Sequence, residues 1–123
     1  GCEEGPGYWS YATRYNVYLL AALQTALGTD FGLSAASGFD RAGHFRVYFS
    51  GPTNRTFNYA DAGDGVGTAA EMFWLASRFN QPVYAWHQRQ RLAGGAPEPH
   101  PIIFDRPHRS APRRATAAPR CRR

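Results

Sequence analysis

The opening of the chain combines residue types that can recognise a sugar. Glu3 and Glu4 stand directly before a Gly-Pro-Gly turn, and a run rich in aromatic residues follows. Aromatic rings accept the C–H faces of sugars, whereas carboxylates and phenols form hydrogen bonds with sugar hydroxyls. The pattern indicates a binding surface at a helix entrance, although local residues alone favour two acids that merely complement the helix dipole. The candidate binding residues are Tyr8, Trp9 and Tyr11.

A second candidate group is the segment Phe57-Asn58-Tyr59-Ala60-Asp61, which the sequence places on a loop. A tyrosine flanked by Asn58 and Asp61 has hydrogen-bond partners that could support proton transfer, and loops often carry function. An equally good interpretation is that Phe57 and Tyr59 attach the loop to the helices while the polar residues form Asx turns. Tyr59 is therefore a catalytic candidate, and Asn58 and Asp61 are binding candidates.

Histidines and cysteines give no comparable pattern. His44 lies inside a helical pattern and His87 follows a tryptophan on the last predicted helix, and neither has a partner at metal-ligand spacing. Each is interpreted as a surface histidine or a hydrogen-bonded core histidine. Cys2 and Cys121 lie at the two extremes and indicate neither a disulfide framework nor a zinc site. No metal and no cofactor are predicted.

The formal net charge of +5 comes entirely from the end of the sequence. Residues 1–93 hold seven Arg and seven acids, so their charges cancel, whereas residues 94–123 hold seven Arg and two acids. The second segment is rich in Arg, Pro and Ala, and it has too little apolar surface to offset the entropy of ordering. We expect it to be a disordered tail or an artefactual, out-of-frame sequence. A nucleic-acid-binding arm is disfavoured because Phe104 is its one aromatic residue.

Four segments with apolar residues at three-four spacing predict a mainly α chain. Gly28 is expected to end the first helix, and Ser34 or Ser37 to cap the second. A long irregular loop is expected at 53–65. The predicted helices span 8–27, 38–50, 66–79 and 82–92.

The first helix is apolar around much of its circumference, so we expect it to have neighbours on more than one side. Its main stripe is predicted from Tyr8, Tyr11, Tyr15 and Leu19. Helices of this kind usually belong to layered or toroidal α folds. No apolar run is long enough to cross a bilayer, so no membrane association is predicted.

Several blocks of the chain resemble heparinase II/III-type proteins. The most specific are Glu4–Tyr11, which reads EGPGYWSY, and Phe57–Asp61, which reads FNYAD. The resemblance extends through 22–33 and 51–53, covers about residues 1–92 and stops at the tail. Such proteins are polysaccharide lyases, or their relatives, with an α/α toroid followed by a β-sandwich. The resemblance implies that residues 1–93 are helical hairpins from an incomplete toroid.

The chemistry implied by the resemblance is β-elimination on glycans that contain uronic acids. In such lyases a residue at one helix start neutralises the substrate carboxylate, and a tyrosine from a later loop transfers a proton. Glu4 and Tyr59 match these positions. A glutamate could act there only if protonated or through a bridging group, so the usual substrates are in question. The implied partners are an acidic polysaccharide and the remainder of the toroid and sandwich, in the periplasm or in secreted form.

Three hypotheses follow from the sequence. The first is a fragment of a polysaccharide lyase that is inactive alone. The second is a carbohydrate-binding relative without catalysis. The third, less favoured, is a nucleic-acid-binding module that uses the basic tail.

Overall fold

The protein is all-α over the residues that the computed structural model describes, 2–93, as the sequence predicts. Residues 2–93 form four helices: α1 (Pro6–Leu27), α2 (Ala42–Phe49), α3 (Glu71–Phe79) and α4 (Pro82–Ala93). Single turns of 3-10 helix at Leu33–Ala35 and Phe39–Arg41 join α1 to α2. The long loop between α2 and α3 contains only isolated β-bridges. The predicted tail, 94–123, lies outside the described residues.

Helix α1 has the boundaries that its flanking glycines favour. Pro6 is its first residue, where the missing N–H costs no helical hydrogen bond. Gly28 ends the helix in the left-handed conformation, and its N–H bonds to the Gln24 carbonyl at 3.1 Å. The predicted role of Gly28 is therefore confirmed, and the helix begins two residues before the predicted start.

The predicted cap of the second helix is wrong. Neither Ser34 nor Ser37 caps α2, whose N-cap is Arg41 without a side-chain hydrogen bond. Gly38 adopts a positive φ of 79°, which interrupts the pattern and leaves only a 3-10 turn before Ala42. The Ser34 hydroxyl instead accepts a hydrogen bond from Arg78 at 2.7 Å.

The predicted start of the third helix is also wrong, since α3 begins at Glu71 and not at 66. The preceding segment is held by two distant arginines. Arg46 donates to the Gly67 carbonyl, and Arg14 donates to the Thr68 carbonyl at 3.3 Å. These contacts satisfy carbonyls that a helix would otherwise use, so the segment stays irregular.

The core lies where α3 and α4 form a hairpin against α1 and α2. Gly43 permits the closest approach, because a Cβ at this position would lie 2.8 Å from the Tyr84 ring. The rings of Trp9 and Phe45 connect α1 to α2, with centroids 5.9 Å apart. The buried residues of this cluster are Trp9, Ala69, Met72, Leu75 and Tyr84.

The predicted apolar stripe of α1 is exposed. Its exposed fractions are 43% for Tyr8, 63% for Tyr11, 57% for Tyr15 and 54% for Leu19; these four residues are called the tyrosine face below. The opposite side packs inward instead, and no element of residues 2–93 covers the tyrosine face. The expectation of neighbours on two sides is therefore not met by the described part of the chain. The buried residues of α1 are Pro6, Trp9, Thr13, Val17 and Leu20.

Candidate functional site

The entrance of α1 carries the two candidate acids on its surface. Glu3 and Glu4 are exposed in a turn that precedes the helix, so neither lies in its first turn. The turn is closed by the Gly5 N–H, which donates to the Cys2 carbonyl at 3.2 Å. The carboxylates are therefore accessible to a ligand at the positive end of the helix dipole.

The loop between α2 and α3 packs directly on this entrance. Gly5 has a positive φ of 97°, and a Cβ built there would lie 2.5 Å from the Ala62 Cβ and 2.6 Å from the Tyr59 carbonyl oxygen. Only glycine permits both the backbone conformation and the approach. The two blocks that carry the family resemblance therefore meet at Gly5.

Tyr59 reaches across this junction with its side chain. Its hydroxyl donates a hydrogen bond to the Cys2 carbonyl, 57 residues away in sequence. Its ring meets Phe49 edge-on, with centroids 6.0 Å apart. The phenol is thus half-buried and fixed beside the turn that holds Glu4.

The two polar neighbours of Tyr59 differ in their contacts. The Asn58 amide donates to the Ala62 carbonyl at 3.3 Å and closes the loop on itself. Asp61 is exposed. Neither residue is removed from solvent, so both remain candidates for binding.

The three aromatic candidates at the entrance have different surroundings. Tyr8 and Tyr11 are exposed and available to a ligand, and the Tyr11 ring contacts the Tyr15 ring with centroids 4.9 Å apart. Trp9 is only 5% exposed and belongs to the core. Since its ring has no free face for a sugar, Trp9 is a packing residue here, contrary to the expectation from sequence.

Sequence reasoning missed a buried group of polar side chains. Glu71 is fully buried, and its Oε2 accepts a hydrogen bond from Arg14 at 3.3 Å. Burial raises the pKa of Glu71, although the positive charges of Arg14 and Arg46 act in the opposite direction. Arg46 also donates to the Ser10 hydroxyl at 2.7 Å, which links α2 to α1.

His87 and Gln88 extend this group onto α4. His87 is 5% exposed and Gln88 is fully buried, and their side-chain polar atoms have no hydrogen-bond partner among residues 2–93. Burial, with smaller contributions from Arg46 and Arg91, lowers the pKa of His87 to about 4. The interpretation of His87 as a surface or hydrogen-bonded histidine is therefore wrong. The polar seam, as we call this group, consists of Arg14, Arg46, Glu71, His87 and Gln88.

His44 fits its prediction as a hydrogen-bonded histidine. Its Nδ1 lies 2.6 Å from the Tyr84 hydroxyl, which also donates to the Asp40 carbonyl at 2.9 Å. Because a phenol has a single proton, both bonds can form only if His44 Nδ1 carries its own proton. Burial, assisted by the Asp40 charge, raises the pKa of Tyr84.

Spacing on α4 was the signal that could have revealed the seam. Tyr84, His87, Gln88 and Arg91 follow positions i, i+3, i+4 and i+7 and share one side of the helix. Over residues 2–93, no group of three or more His, Cys, Asp or Glu is placed to hold a metal ion. None of the described helices is both long and apolar enough to cross a membrane.

No protein-family model matches the chain, and no curated protein matches it. Function is therefore inferred from the residues, their geometry and the resemblance of the two blocks that meet at Gly5.

Proposed function

We propose that the chain is part of a polysaccharide lyase that acts by β-elimination on glycans containing uronic acids. The observation that carries the proposal is the hydrogen bond from Tyr59 to the Cys2 carbonyl. This contact holds the candidate phenol of a distant loop against the turn that contains Glu4. An acid and a phenol on one accessible surface are the groups that an elimination of this kind requires.

The proposed roles follow from the protons that each group can hold. In its neutral form Tyr59 is a hydrogen donor, so it can protonate the glycosidic oxygen of the leaving sugar once it releases the Cys2 carbonyl. Glu4, when protonated, can donate a hydrogen bond to the substrate carboxylate and make the C5 proton more acidic. In its ionised form it would repel that carboxylate, so the proposed role requires the protonated form or a bridging group.

The described residues supply one side of the proposed glycan groove. Tyr8 and Tyr11 offer exposed rings, and Asn58 and Asp61 offer polar groups at its edge. No base for the C5 proton is assigned within residues 2–93. We therefore propose that the remainder of the toroid and its β-sandwich complete the site, that this segment alone has no turnover, and that the parent protein is secreted or periplasmic.

A second candidate is carbohydrate binding without elimination. The same hydrogen bond favours this candidate. The Tyr59 phenol has a single proton and already donates it to the Cys2 carbonyl. In this arrangement the surface binds a sugar through its rings and acids, and no proton is transferred.

The Tyr59→Phe substitution separates the two candidates. In the complete lyase we expect turnover, measured as ultraviolet absorbance of the unsaturated product, to fall by at least about 100-fold while oligouronate binding persists. Tyr48→Phe, a change at an exposed phenol on α2, is the matched control and should leave turnover unchanged. Oligouronate binding that depends on Tyr59, in a parent protein that forms no unsaturated product, supports the non-catalytic candidate. Absence of unsaturated product from every uronic-acid polymer tested contradicts the lyase proposal.

A further inference from the structure

The exposed side of α1 offers aromatic rings and hydroxyl groups but no charge. Arg14 is the one charged residue of this 22-residue helix, and its guanidinium turns inward to Glu71. Three of the four side chains of the tyrosine face end in a phenol hydroxyl, which can both donate and accept a hydrogen bond. These groups suit a ligand that is uncharged, has both apolar and polar sides, and carries many hydroxyl groups.

The tyrosine face begins at the candidate glycan groove. Tyr8 and Tyr11, which supply the exposed rings of that groove, are also the first two members of the face. Tyr15 and Leu19 continue the same surface along the helix and away from Gly5. The Tyr11 and Tyr15 rings are in contact, with centroids 4.9 Å apart. A glycan that leaves the junction around Gly5 along α1 therefore meets a continuous row of side chains.

The spacing along this row suits a chain of sugars. One helical turn rises about 5.4 Å, which is close to the advance of one pyranose unit in an extended glycan. Tyr8, Tyr11, Tyr15 and Leu19 follow one another at intervals of three or four residues, so each turn of the helix presents one side chain. The row can therefore contact about one sugar unit per helical turn.

The size of the tyrosine face argues against a protein as its occupant. At 1.5 Å per residue the row from Tyr8 to Leu19 is about 17 Å long, and one helix is about 10 Å wide. A stable protein interface covers roughly 800 Å² on each partner, which is several times the area of this strip. A single extended glycan fits both the length and the width.

We propose that the tyrosine face extends the glycan groove along α1 and takes uncharged sugar units, so that the substrate is a mixed glycan whose uronic acids are separated by uncharged sugars. The inference rests on the proposed function, which places a uronic acid at the junction around Gly5. A carboxylate over the row would lose water without gaining a cation, and at the entrance it would meet the exposed Glu3 and Glu4. A homopolymer of uronic acids cannot avoid this cost, because every unit carries a carboxylate.

A nuclear magnetic resonance titration of the full 123-residue chain tests the proposal. The first probe is a hexasaccharide in which glucuronic acid alternates with glucose, and the second is the corresponding disaccharide. The disaccharide should shift signals only at the junction, residues 3–8 and 58–62. The hexasaccharide should also shift the amide and tyrosine ring signals of residues 11–19. If its shifts are confined to the junction, the extended groove is overturned while the lyase proposal stands.

The Tyr15→Ala variant tests the row itself. It removes one exposed ring and should weaken hexasaccharide binding about fivefold while leaving disaccharide binding unchanged. Tyr48→Ala is the matched control, because Tyr48 is 79% exposed on α2 and outside the face. Equal hexasaccharide affinities of the two variants would overturn the assignment of sugar units to the row.

Two further hexamers test the selection against charge. A hexamer of glucuronic acid should bind at least about fivefold more weakly than the mixed hexasaccharide, and equal affinity would overturn the preference for uncharged units. A hexamer of glucose should shift residues 11–19 without the junction. If it does so and no probe with a uronic acid shifts the junction, the proposed function and the mixed substrate are both wrong, and the tyrosine face is a site for uncharged sugars alone.

Discussion

The tyrosine face and the polar seam reverse the usual distribution of polarity. The face exposes three tyrosines and a leucine to solvent, whereas the seam buries a carboxylate, an arginine, a histidine and an amide, with the half-buried Arg14 as its member on α1. Burying a polar group costs free energy unless it is paired, and exposing apolar rings forgoes the gain of burial. The described helices are therefore held together by a partly polar interior, while their most apolar surface remains available for binding.

The largest expected effect comes from removing the buried carboxylate of the seam. Glu71→Ala removes the buried carboxylate that lies 3.3 Å from the Arg14 guanidinium and opens a void, so the free energy of unfolding should fall by about 3 kcal/mol. Urea denaturation measures the change. Asp64→Ala is the matched control, because it breaks the exposed 2.7 Å pair with Arg55 and should cost less than about 1 kcal/mol. Equal losses in the two variants would contradict a stabilising seam.

Acid should weaken the seam through His87. Its pKa is about 4 in the folded protein and 6.5 as the reference value, so the unfolded chain binds more protons between these pH values. The free energy of unfolding should therefore fall as pH drops from about 6.5 to 4, by roughly 2–3 kcal/mol.

The His87→Gln variant isolates this contribution. Glu71 opposes it, because its raised pKa makes the folded state bind more protons and stabilises the protein as pH falls toward that pKa. Urea midpoints of both proteins across the window give the difference between their pH slopes. If the unfolding free energy of His87→Gln changed with pH as steeply as that of the original protein, the lowered pKa of His87 would be contradicted.

A smaller loss is expected where α2 and α4 approach most closely. In Gly43→Ala the new methyl group meets the Tyr84 ring at 2.8–2.9 Å, and hydrogen bonds to Asp40 and His44 hold that ring in place. The crowding should outweigh the helix propensity of alanine and cost about 1 kcal/mol. Thermal unfolding compares it with Gly63→Ala, whose Cβ meets nothing within 4 Å. A Gly43→Ala variant as stable as the control would contradict the close packing.

The smallest effect is expected on the tyrosine face. Tyr15→Ser removes a ring that is 57% exposed, so the free energy of unfolding at low concentration should change by less than about 0.5 kcal/mol. Chemical denaturation at micromolar protein checks this value. A loss of unfolding free energy comparable to that of Glu71→Ala would mean that the tyrosine face contributes to the core. The contrast between the two regions would then be wrong.

Helical periodicity predicted the elements better than it predicted which side of them is buried. On α1 both the stripe through Tyr15 and the stripe through Val17 are apolar, and spacing alone does not choose between them. The choice depends on neighbours such as Phe45, which packs on Trp9 and fixes the inward side. Gly28 was predictable because a left-handed helix end is a local preference of glycine.

The features that sequence reasoning missed are contacts between distant residues. The start of α3 depends on arginines from α1 and α2, which donate hydrogen bonds to the backbone carbonyls that precede Glu71. The seam likewise needs four helices to assemble before its polar atoms are enclosed. At the candidate site, by contrast, Gly5 and Tyr59 were recognisable as parts of two motifs, and the structure brings them together.

The most direct test of the account is a nuclear magnetic resonance titration of the chain with an acidic oligouronate. We expect the largest shifts at the amides of residues 3–8 and 58–62, which form the junction around Gly5. The Tyr59→Phe variant should keep shifts at both segments, as the Tyr48→Phe control does, because the lyase proposal expects binding to persist without the phenol. Shifts confined to other parts of the chain, or no shifts at millimolar sugar, would contradict the claim that the helix entrance and the loop form one glycan-binding surface.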